Sequence, residues 1–138
     1  MKSFRQFFVI LASLFLISAC AGTPLKSLEK YDLDSQLEPV SEILRYNLMG
    51  WETVDNQSLI LQTSPSQYYL IVLIYPSDQL MYAEHISISN TGDMVKSGFD
   101  KVTVYGSPMH DTYVIEKIYK LKDRDQVNAI REQLTRKS

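Results

Sequence analysis

Tyr68-Tyr69-Leu70-Ile71-Val72-Leu73-Ile74-Tyr75, closed by Pro76, is the stretch on which the fold turns. It holds eight consecutive aromatic, β-branched and aliphatic residues and ends at a residue that cannot continue a ladder. The pattern predicts a strand buried on both faces or nearly so. A central position in a sheet suits it, because at an edge the same stretch would invite pairing with other chains.

Working outward, Trp51, Thr53 and Val54 run into the turn-rich cluster Asp55-Asn56-Gln57-Ser58 and then Leu59-Ile60-Leu61, which reads as a hairpin. Before it, Leu37, Val40, Ile43, Leu44 and Leu48 recur at helical spacing around Pro39, a residue tolerated in a first turn; this predicts a short helix ending near Gly50. After the central strand, Leu80 to Ala83 suits a single helical turn. His85 to Ser89 then alternates, with Ile86 and Ile88 on one face. Asn90-Thr91-Gly92 turns the chain, Phe99 to Val104 forms a strand with Val102 and Val104 inward, and Thr112 to Tyr119 forms the last strand. A terminal helix starts at Asp123 or Asp125, either a suitable N-cap, and aligns Val127, Ile130 and Leu134. The expected fold class is α+β: a single curled, mostly antiparallel sheet or small open barrel of about six strands, with an N-terminal and a C-terminal helix, over residues 37–138.

The first nineteen residues have a different character. MKSFRQ carries Lys2 and Arg5 and no acid, Phe7 to Leu16 is apolar except for Ser13, and Ile17-Ser18-Ala19-Cys20 follows. That is the three-part order of an export signal, and its apolar part is half the roughly twenty residues a spanning helix needs. Ile17, Ser18, Ala19 and Cys20 resemble the lipobox of bacterial lipoproteins, in which Ile17 takes the place of the commoner leucine. The resemblance implies cleavage before Cys20, diacylglycerol on its sulfur and an acyl group on its new amine. One acyl chain holds a protein to a bilayer only marginally, whereas two or more anchor it. Without Asp directly after the cysteine, the same resemblance implies delivery to the outer membrane, facing the periplasm. Residues 20–36 would then be a tether of up to about 50 Å if fully extended, unless Leu25, Leu28, Tyr31 and Leu33 pack on the domain.

Composition excludes several classes of partner. The chain has 138 residues, 45% apolar, which suits one folded domain. Its 14 basic and 16 acidic residues give a net charge of −2, and losing Lys2 and Arg5 with the leader leaves 12 against 16, or −4. Such a domain has no footprint for nucleic acid and no polybasic stretch for anionic lipid. The basic residues from Lys117 to Arg124 and at Arg136 and Lys137 are interleaved with Asp123, Asp125 and Glu132, as on a solvated face. With a single cysteine in the chain, no intramolecular disulfide can form.

Beyond the leader, the chain resembles a family of small lipoproteins and secreted proteins of proteobacteria that has no assigned function. The resemblance runs from about Ile43 to Leu121 and is carried by Trp51 with its hairpin, the central strand, and Leu80 with Ala83 before Ile86. Phe99-Asp100-Lys101-Val102 and Ile115-Glu116-Lys117-Ile118-Tyr119-Lys120-Leu121 complete it. These are core-facing motifs, so the resemblance implies a shared fold and transfers no reaction. Where the family often has two cysteines, this chain has Ser77 and Tyr113, so any staple between them is missing here.

Signals for chemistry are sparse. His85 and His110 are the two histidines, and no spacing around them supplies the three or four converging ligands of a metal site. No serine stands in a nucleophile elbow, and there is no glycine-rich phosphate loop. Asp93, Asp100 and Asp111 could meet at one end of the sheet, although solvent-facing turn roles explain them as well. No metal, cofactor or catalytic set is expected. The nine tyrosines are more suggestive, since a ring with a polar tip suits a binding surface. Tyr69, Tyr75, Tyr82, Tyr105 and Tyr113 are the candidates. The expectation is a lipid-anchored, non-enzymatic interaction module of the cell envelope that meets a protein partner. A binder of a small apolar ligand is the alternative, and a hydrolase is less favoured.

Overall fold

The computed structural model describes residues 29–44, 46–106 and 108–137. The strands are β1 (Glu38–Val40), β2 (Glu42–Ile43), β3 (Gly50–Thr53), β4 (Ser58–Ser64), β5 (Gln67–Leu73), β6 (His85–Ile88), β7 (Val95–Lys96), β8 (Lys101–Tyr105) and β9 (His110–Leu121). A short 3-10 turn covers Asp78–Tyr82, and one helix, α1 (Arg124–Arg136), closes the chain. Six strands lie in the order β3-β4-β5-β9-β8-β6, every pairing antiparallel, and curl into a half-barrel.

The central strand has the place its composition demands. β5 lies between β4 and β9, and its side chains divide by the two-residue period of a strand. Tyr68, Leu70 and Val72 enter one core, while Tyr69, Ile71 and Leu73 enter the other. The first core lies under α1, whose Val127, Ile130 and Leu134 pack with Tyr31, Leu33 and Leu37. The second fills the curl of the sheet with Ile43, Leu59, Leu61, Leu80, Val95, Val102, Val104, Ile115 and Ile118. Asp123 caps α1, its carboxylate accepting the Gln126 N–H at 2.8 Å.

The expected N-terminal helix is not there. Residues 38–40 form β1, which pairs with β9 through Glu38↔Lys120, Pro39↔Tyr119 and Val40↔Ile118. The cause is long-range. β9 extends beyond β8, leaving a stretch of ladder open, and β1 fills it. Helical spacing from Leu37 to Leu48 also misread Leu44, which is 61% exposed and belongs to no apolar stripe. β2 instead pairs with β7 as a separate two-stranded piece over the curl. Gly92, at φ 65°, supplies the left-handed turn residue that leads into it.

Ends of the sheet matter for function. At one end lie the β4–β5 turn, Pro65-Ser66, and the start of α1. At the other lie the β3–β4 turn and the exit from β5, joined where the Ser77 N–H donates to the Asn56 carbonyl at 2.6 Å. The β8–β9 hairpin extends past this second end, and α1 runs back to reach it with Thr135 and Lys137.

Candidate functional site

Residues 29–37 are fastened to the body by two buried polar clusters. In the first, the β3–β4 turn holds Asp55, 4% exposed, whose Oδ1 accepts the Gln57 N–H at 2.9 Å and the Ser58 hydroxyl at 2.8 Å. That local pattern is an Asx turn, common for Asp in tight turns. Lys30 Nζ lies 2.8 Å from Asp55 Oδ2, and the Tyr31 hydroxyl lies 2.9 Å from each carboxylate oxygen. Burial works against the charge on Asp55, but the bonds from Lys30, the Gln57 N–H, Ser58 and Tyr31 together hold its carboxyl below the usual carboxylate range. Burial and the neighbouring carboxylate push the Tyr31 phenol far up.

The second cluster surrounds Tyr119, which is fully buried in β9. Its hydroxyl lies 2.6 Å from Asp34 Oδ1 and 2.8 Å from the Tyr31 carbonyl, and accepts the Leu33 N–H at 3.2 Å. Tyr31 and Leu33 are each 1% exposed, so this segment belongs to the folded body. Leu25 and Leu28 lie outside the described residues.

A pH prediction follows from Asp55. Its folded pKa lies below the unfolded value near 3.9, so its stabilisation is present above about pH 4 and is lost as the pH falls through the folded value. Asp55→Asn is expected to destabilise by about 2–4 kcal/mol at neutral pH, toward the low side of a buried pair because Lys30 reaches solvent. Urea unfolding at a series of pH values should show wild type and variant converging below about pH 4. A difference that stays constant down to pH 2 would refute this role for Asp55.

Between Lys30, Tyr31 and the 3-10 turn opens a groove of about 900 Å³, walled by Val54, Pro76, Met81 and Tyr82, with Lys137 at the tail of α1. Of eight exposed large hydrophobic residues among those described, five occupy this end of the sheet: Tyr75, Met81, Tyr82, Tyr105 and Met109. Tyr82 is 86% exposed. Leu80 explains this, since its fully buried side chain and the Thr53 hydroxyl bonded to its carbonyl at 3.0 Å fix the 3-10 turn so that its next two residues face solvent. The hairpin lies against the same turn, with Gly106 so close to Gln79 that an added Cβ would stand 2.9 Å from its Oε1.

The five candidate tyrosines do not form one surface. Tyr75, Tyr82 and Tyr105 are exposed at this end, whereas Tyr69 is 8% exposed and must be removed from the set. Register explains the correction: Tyr69 pairs with Leu61 and points into the curl. Tyr113 also packs toward that core, half-buried, its hydroxyl 3.4 Å from Asp111 Oδ2. Met81 and Met109 carry no signal of a contact surface in the sequence alone, although Met-Tyr directly after a buried Leu in a one-turn helix has little other place than the surface. Ile17, Ser18, Ala19 and Cys20 lie outside the described residues.

His85 and His110 are both exposed and flank Tyr105 in register, the His110 ring 5.8 Å from the Tyr105 ring. No group of three or more His, Cys, Asp or Glu able to hold a metal ion occurs among the described residues. Asp100 is no solvent-facing turn residue. It is 2% exposed and accepts from the Ser89 hydroxyl at 2.7 Å and the Lys96 N–H at 2.8 Å, pinning the loop before β8 to the end of β6. Ser77, where the resembling family often has cysteine, is buried with its N–H in the link to Asn56. No helix among the described residues is long and apolar enough to cross a membrane.

No curated protein and no solved structure matches the chain. A family model described as a family of unknown function, DUF6491, matches residues 2–137, nearly the whole chain, and the protein belongs to that family.

Proposed function

We propose that the protein is a lipid-anchored, non-enzymatic interaction module of the bacterial cell envelope, held to the outer membrane through Cys20 and facing the periplasm. The observation that carries the interaction part is the cluster of exposed apolar side chains at one end of an otherwise well-packed sheet. Exposed apolar clusters of this kind mark contact surfaces. The anchor rests on the order of charge, apolar core and Ile17-Ser18-Ala19-Cys20, and the family match begins at residue 2, within that leader. The alternative, an apolar ligand enclosed by the sheet, has less support because fully buried side chains fill the curl.

A photo-crosslinking amino acid placed at Tyr82 tests the reading in cells. Irradiation is expected to give an adduct with an envelope component, protein or lipid, while the same group at Ser66, on the opposite end of the sheet, gives little. Equal adduct at both positions, or none at Tyr82, would sink the assignment of this end as the contact surface.

A further inference from the structure

The geometry points to the lipid bilayer itself as what this end meets: Tyr75, Met81, Tyr82, Tyr105 and Met109 dock on the membrane that holds the anchor. This rests on the proposed lipidation of Cys20. Its first support is where the chain leaves the body. Lys30 is bonded to Asp55 and Tyr31 is buried, so the body begins about ten residues after Cys20. Those residues reach at most about 35 Å, comparable with the width of a domain this size. Lys30 and Tyr31 line the same groove as Met81 and Tyr82. The short tether therefore keeps this end close to the bilayer, at an effective concentration on the order of millimolar. Contact at such a concentration needs little intrinsic affinity.

The second support is chemical. Tyrosine prefers the headgroup level, where its ring meets acyl chains and its hydroxyl meets water. Tyr75 and Tyr82 each expose more than half of their surface, as do Met81 and Met109, and Tyr105 is 44% exposed. These side chains are borne on the 3-10 turn, the segment before it and the hairpin beside it, and so share one end of the sheet. Charges around them are mixed, with Lys30 and Lys137 set against Asp55 and Asp78 along the groove. Docking is therefore apolar, as the acidic domain requires at a membrane surface.

The test uses mature protein purified from the membrane fraction of cells that express the full chain. Tyr82→Trp and, separately, Ser66→Trp are reconstituted into vesicles of phosphatidylethanolamine and phosphatidylglycerol whose acyl chains carry bromine. Unsubstituted protein gives the background from Trp51. The indole introduced at position 82 should be quenched about twofold, more by bromine near the headgroup than near the chain end, as for a group about 5–10 Å below the surface. The indole at position 66 should show background quenching only. Equal quenching at both positions, or none at 82, overturns the docking. So does an indole at 82 that is shielded from aqueous acrylamide yet untouched by bromine, since a second copy or the tether then covers this end. The mass of the same preparation separates the two readings. Protein without acyl groups overturns the anchor and the docking together, whereas acylated protein without quenching overturns the docking alone.

Discussion

Cys20→Ser is expected to abolish lipid labelling of the protein and to remove it from the membrane as an anchored species. The chemistry is all-or-none. A thiol with a pKa near 8.5 offers some thiolate at neutral pH to attack the glyceryl carbon of a phospholipid, forming the thioether as the phosphate-bearing headgroup leaves, whereas a serine hydroxyl offers no comparable nucleophile. The chain has no other cysteine to take its place. Either the unlipidated precursor stays uncut and held by its apolar leader, or an ordinary cut after Ala19 or Ala21 releases a soluble domain. Each buried CH₂ of an acyl chain contributes about 0.8 kcal/mol, so losing two or more chains removes far more binding than five surface side chains restore. Labelled fatty acid fed to cells, followed by gel fluorography and fractionation, reads both results. Continued labelling of the Cys20→Ser protein would overturn the anchor.

The parts of the fold that were legible in sequence are those fixed by local pattern. The buried run of β5, the β3–β4 hairpin, the alternation of Ile86 with Ile88 and of Val102 with Val104, and the Asp123 cap before Val127, Ile130 and Leu134 each follow from a period or a cap. What failed depends on partners far along the chain. Pro39 reads as a helix start until Tyr119, eighty residues later, is known to pair with it. Asp55 reads as a turn residue, and rightly, but nothing near it signals that Lys30 and Tyr31 complete its shell. The candidate site was half legible for a similar reason. Tyrosine content pointed to Tyr75, Tyr82 and Tyr105, yet which face Tyr69 and Tyr113 took depended on strand register, which an uncertain strand boundary cannot set.

Tyr119 joins these long-range features, and its two substitutions should have unequal effects. Tyr119→Ala removes a fully buried ring near the C-terminal end of β9 and leaves a cavity in the core under α1, costing about 3–5 kcal/mol. The Leu33 N–H and the Tyr31 carbonyl also lose a partner, which adds about 1–3 kcal/mol if they stay buried. Against a total stability of about 5–15 kcal/mol, this variant is expected to lower Tm by about 15 °C or more, or to fail to fold. Tyr119→Phe keeps the ring and removes only the hydroxyl, so its loss should be about 1–3 kcal/mol and concentrated at residues 31–34. Hydrogen exchange distinguishes the two, because in Tyr119→Phe the Leu33 amide should exchange much faster while the amides of β5 keep their protection. Unchanged exchange at Leu33 would show that the hydroxyl does not hold this segment. In Tyr119→Phe the Asp55 cluster still fastens Lys30 and Tyr31, so the proposed tether keeps its reach of about 35 Å, and bromine quenching of an indole at position 82 should stay as strong as without the substitution.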